Sequence, residues 1–125
     1  MPEASVQAAA TDGQFEARIE VVRKRFAAKF VDRMQQTIAD LPGMTGDGVV
    51  PADVVANAYH WLHQISGIAA TIGFESTGQS ARSCDNLLVE PYRAQRGLSA
   101  AELAQLTNGL DSLRRAAQAE MQVLK

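Results

Sequence analysis

Apolar residues recur at steps of three and four from Phe15 to the end of the chain, and strict apolar–polar alternation persists nowhere. A period near 3.6 turns one stripe of a helix toward a core, whereas a half-buried strand needs a period of two. The chain can therefore bury its apolar residues only as a set of helices. The stripes are interrupted at Pro42-Gly43, at Gly73 and across EPYRAQRG, residues 90–97. Four amphipathic helices with short connections predict an all-α fold, an antiparallel four-helix bundle.

The first helix is expected from about Gln14 to Asp40, with Ile19, Val22, Phe26, Phe30, Met34, Ile38 and Leu41 as its stripe. After a glycine-rich loop, Pro51 suits a first helical turn and Asp53 complements the helix dipole, so a second helix is expected from about residue 51. Its seam is Val55, Ala58, Leu62, Ile65, Ala69 and Ile72, ending at Gly73. A third helix, about Phe74 to Val89, follows almost without a loop and must fold back on the second. Ser99 and Glu102 form an S-x-x-E capping box for the fourth, with Leu98 and Leu103 placed as a hydrophobic staple. That helix continues through Leu106, Leu110, Leu113, Ala117 and Leu124, with Gly109 as its weak point.

At 125 residues the chain has room for one core. Residues 1–13, small and polar, are expected as a loose tail or short helix, and 14–125 as the bundle domain. No apolar run approaches the roughly 20 residues of a membrane span, so no membrane partner is expected. A net charge of −2 argues against nucleic acid. Cys84, the one cysteine, cannot form an internal disulfide, and the N-terminus lacks the basic and apolar regions of a signal peptide; both fit a cytoplasmic protein. Cys84 also falls on the stripe of positions 74, 77, 81, 84 and 88, which reads as a small buried hydrophobe with no redox role.

The stretch HQISGIAATIG, residues 63–73, carries the chemistry. At 100° per residue His63 lies roughly 135° from the apolar seam of its helix, so the imidazole should face solvent. Gly67 and Ala70 share that side, with Ser66 and Tyr59 toward its edge and His60 farther round. A mid-helix glycine costs roughly 1 kcal/mol relative to alanine, and here it leaves nearly bare backbone one turn from the ring, where a partner could approach. Neutral imidazole is a nucleophile and can carry a phosphoryl group between two partners. Such a transfer depends chiefly on positioning and on cations that neutralise charge.

These residues resemble the histidine-containing phosphotransfer (HPt) domain of two-component phosphorelays, whose signature is approximately H-x-L-K-G with a further glycine ten residues after the histidine. Here His63, Ile65, Gly67 and Gly73-Phe74 match, and Asp85 stands at the family's acidic position in the next helix. The resemblance covers roughly residues 20–120. It implies an antiparallel four-helix bundle, phosphorylation of His63, and receiver domains of response regulators or hybrid histidine kinases as partners. It also implies that the Mg²⁺ of the transfer resides in the receiver, so this chain would bind no cofactor or metal of its own.

One departure stands out. Ser66 replaces the usual lysine, offering a neutral donor where the family has a charge. Arg82 is nine residues beyond the Gly73 turn, as His63 is ten before it, and could supply a cation at similar height. Gln64 adds a potential donor. His60 and His63 have metal-ligand spacing without further ligands, so His60 reads as a solvated neighbour. Arg23-Lys24-Arg25 reads as a solvated face, and Trp61 and Ile68 as the flank of the seam. The expected function is a phosphorelay intermediate, a monomer, that accepts phosphoryl from one receiver and passes it to another. Without a P-loop it should not phosphorylate itself. The alternative is a non-transferring adaptor or inhibitor that docks a histidine kinase or response regulator.

Overall fold

A computed structural model describes the backbone from Pro2 to Gln122 and the side chains from Gly13 to Gln122. Four helices follow in order: α1 Pro2–Asp40, α2 Val49–Thr71, α3 Glu75–Arg93 and α4 Ala100–Met121, with a 3-10 turn at Leu41–Met44 after α1. No strand occurs among the described residues, and the helices pack as a bundle. The core joins Phe30 and Met34 of α1, Val55, Leu62 and Ile65 of α2, Ala81, Cys84 and Leu88 of α3, and Leu106, Leu110 and Leu113 of α4. Burial pushes the Cys84 thiol up to about 12, consistent with a packing role.

The helix bounds differ from expectation at several ends. The backbone of α1 is helical from Pro2, upstream of Gln14, while the side chains of residues 1–12 lie outside the described set. Leu124, expected to end the last stripe, lies outside it as well. The second helix begins at Val49, which places Asp53 beyond its first turn. Pro91 stands inside α3, near its C-terminal end, so the connection to α4 begins later than EPYRAQRG suggested.

The stripe of α1 is also corrected. Val22 and Ile38 are exposed, at 41% and 40%, while Thr37 is buried. Steps of four residues advance a helical stripe by roughly 40° each, so a run of them rotates off the core. A step of three from Met34 brings the line back to Thr37, whose hydroxyl donates to the Arg33 carbonyl at 2.8 Å.

The turn between α2 and α3 fixes the hairpin that carries the site. Gly73 has φ +95°, a left-handed conformation that side chains disfavour. Gly73 N donates to Ala70 O at 3.3 Å and Phe74 N to Ala69 O at 2.8 Å, closing a Schellman motif. Phe74 buries itself against Ala69 and Ile72, the apolar contact that accompanies this cap. Arg23 reaches from α1 and donates through Nε to Ile72 O at 2.6 Å, so it caps α2 in addition to lining a solvated face. The N-terminus of α3 has no side-chain cap of its own. Glu120 of α4 supplies one, accepting from Thr77 N at 2.6 Å, Ser76 N at 3.2 Å and Thr77 Oγ1 at 2.7 Å.

Candidate functional site

The site forms where α2 and α3 run antiparallel. Gly78 lets the two backbones meet: a Cβ there would lie 3.1 Å from Ser66 O and 3.2 Å from Ala70 N. Farther along the hairpin His63 faces Asp85, and its Nδ1 lies 3.0 Å from Asp85 Oδ2. The His63 side chain is 66% exposed and that of Asp85 only 10%. Paired with an ionised carboxylate, which only accepts, Nδ1 is the donor, and a neutral ring then keeps its lone pair on Nε2. Asp85 Oδ1 is buried without a hydrogen-bond partner among the described residues. A buried orphan acceptor costs about 1–3 kcal/mol, a cost that packing alone gives no reason to accept.

Gly67 completes the opening. A Cβ built on it would meet nothing within 4 Å, so one turn beyond His63 the surface is open. On the other side of His63, one turn earlier, the Tyr59 ring stacks on the imidazole with centroids 5.7 Å apart and planes at 20°.

The remaining expected site residues separate into two groups. Ser66, Ala70 and Arg82 line a depression of about 300 Å³ between α2 and α3, together with Gly78. Ser66 is not at the exposed edge of the His63 face: it is 6% exposed, and its hydroxyl donates to the His63 carbonyl at 2.8 Å. With His63 opposite Asp85 and Ala70 opposite Gly78, the antiparallel register sets Arg82 opposite Ser66. Arg82 is exposed and stands one turn from Asp85 on α3.

Gln64 and His60 belong to the opposite flank. Both line a groove of about 860 Å³ between α1 and α2, floored by Phe30, Trp61 and Ile65 and edged by Arg25, Lys29 and Arg33. Trp61 is buried and Ile68 exposed at the same groove. His60 also meets the edge of Tyr92, with centroids 5.0 Å apart. Tyr92 was missed in the sequence because it falls in the segment expected as a loop, and its partner Tyr59 is 33 positions earlier in the chain, across the hairpin.

No helix among the described residues is long and apolar enough to cross a membrane. The Hpt domain family matches residues 24–116, a span that includes α2, α3 and the His63–Asp85 pair. Comparison with curated proteins returns no match, nor does comparison with solved structures. An exposed histidine on a helical hairpin, oriented by an acidic residue of the next helix, agrees with that assignment: the chain belongs to the Hpt domain family, whose role is phosphotransfer in two-component signalling.

Proposed function

We propose that this protein is a phosphorelay intermediate in which His63 accepts a phosphoryl group from the aspartyl phosphate of one receiver domain and yields it to another. The observation that carries the reading is the His63–Asp85 pair at 3.0 Å beside the open surface of Gly67. In the acceptance step the Nε2 lone pair forms a bond to phosphorus. The bond between phosphorus and the aspartyl oxygen breaks, and its electron pair stays with the receiver's carboxylate. The Nδ1 proton remains between the ring and Asp85, which offsets the positive charge that develops on the imidazole. Return of the phosphoryl group to a second receiver reverses these bond changes. The receiver would supply the Mg²⁺ that neutralises phosphoryl charge on its side of the interface.

On this side of the interface Arg82 is the group we assign to support the phosphoryl oxygens. It lies across from Ser66, and its long guanidinium arm can reach where a serine hydroxyl bonded to its own helix cannot. Gln64, Gly67, Ala70 and His60 make up the docking surface around the ring.

Incubation with phosphorylated receivers tests the reading. Label should appear on the wild-type chain, move to a second receiver, and be absent from His63→Gln. Asp85→Asn should slow acceptance by roughly ten- to a hundredfold, the upper figure being the cost of misplacing a reacting group by about 1 Å. A second reading, an adaptor that docks a kinase or receiver without transfer, is favoured by the buried Ser66 at the position of the family's lysine. Tight docking with no label on His63 from any receiver would establish the adaptor and end the relay reading.

A further inference from the structure

The His63 imidazole has two side-chain torsions and one hydrogen bond. A single bond at Nδ1 leaves the ring able to rock about the Nδ1···Oδ2 line, which swings Nε2 through an arc. The structure contains a second restraint. Tyr59 stacks on the imidazole, Tyr92 of α3 stacks on Tyr59 with centroids 4.2 Å apart and planes at 16°, and the edge contact between His60 and Tyr92 closes the group. The order across the hairpin is therefore Tyr92, Tyr59, His63, and then open space over Gly67. Both tyrosines are half-buried, and the stack runs from α3 to α2, so it is tied to the same hairpin as Asp85.

Resting on the assignment of His63 as phosphoryl acceptor, we propose that Tyr59, backed by Tyr92, is a positioning residue for the transfer. It covers one face of the imidazole, stops the rocking that the Asp85 bond permits, and leaves the side toward Gly67 as the route of approach. Phosphorylation at Nε2 with Nδ1 still protonated gives the ring imidazolium character. The face of Tyr59 attracts such a cation, so the stack favours the phosphorylated ring as well as its alignment. The hydroxyl of Tyr59 has no part in this role, which requires only an aromatic face.

Phosphoramidate, a small phosphoryl donor, separates positioning from docking because no receiver is needed. In that reaction the Nε2–P bond forms and the P–N bond of phosphoramidate breaks, with its electron pair and a proton leaving on ammonia. The full chain should label at His63. Tyr59→Phe should label within about twofold of wild type and Tyr59→Leu roughly tenfold more slowly, with Tyr92→Leu in between. The His63 ring-proton resonances should carry an upfield ring-current displacement in wild type and Tyr59→Phe, lost in Tyr59→Leu. If Tyr59→Leu does not fold, the Tyr92→Leu variant carries the test, since it removes the backing without altering α2. Labelling of Tyr59→Leu or Tyr92→Leu at the wild-type rate, with the ring-current displacement abolished or reduced, would overturn the positioning role alone. A wild-type chain that takes no label would overturn the assignment of His63, and this inference with it.

Discussion

The open space beside Gly67 is the feature a side chain can most directly remove. Leucine is a better helix former than glycine by up to about 1 kcal/mol, and a Cβ at residue 67 meets nothing within 4 Å. Gly67→Leu should therefore keep or raise the unfolding temperature while transfer from a receiver falls at least tenfold, as measured by phosphotransfer beside a thermal melt. Transfer at the wild-type rate in the folded variant would show that receivers do not approach over this patch. Exposure of His63 could be read in advance because it depends on an angle about one helix axis. The burial of Ser66 could not, since its proximity to Gly78 depends on how close α3 comes.

Helix ends divide into those closed by their own sequence and those closed by a neighbour. The capping box of α4 is local and forms as its S-x-x-E pattern dictates, with Glu102 N donating to Ser99 Oγ at 3.1 Å and Ser99 N to Glu102 Oε1 at 2.9 Å. Ser99→Ala should cost about 1 kcal/mol, a fall in melting temperature of about 4 °C. Hydrogen bonding from Arg96, then from the Ser99 backbone, holds the Glu102 carboxyl down at about 2 from an ordinary 4.5. Because the folded-state value is the lower one, the stabilisation is full above pH of about 4.5 and is lost as pH falls through about 2. Thermal unfolding of Glu102→Gln should accordingly show a shallower decline across that window than wild type. An equal decline in both proteins would mean the cap carries none of the acid sensitivity. By contrast, the caps on α2 from Arg23 and on α3 from Glu120 join residues 49 and 43 positions apart, beyond any local motif. Gly109, a weak point in α4 by propensity, has a packing reason of the same kind: a Cβ there would sit 3.0 Å from Cys84 Sγ.

The bundle is closed at one end by the two connections that flank α2 and α4. Leu98 N donates to Met44 O at 2.7 Å, and Thr45 pairs with Leu98 as an isolated bridge, so the loop after α1 is stitched to the loop after α3. A Cβ on Gly97 would lie 2.5 Å from Gly46 O and 2.7 Å from Met44 O. Gly97→Ala should thus destabilise the protein by about 1–3 kcal/mol, read from chemical denaturation, by forcing these connections apart. Stability equal to wild type would show that the loops separate freely. The number of helices, their order and the boundaries at Asp40, Gly73 and Ser99 follow from the residues alone, because a 3.6-residue period, a capping box and a left-handed glycine each act within a few positions. The partners across helices do not follow from them. A stripe defines an angle about its own axis and says nothing of a neighbour's height or rotation, so the pairing of His63 with Asp85, the stack of Tyr59 on Tyr92 and the cap from Glu120 arise only when the packed core sets the register between helices.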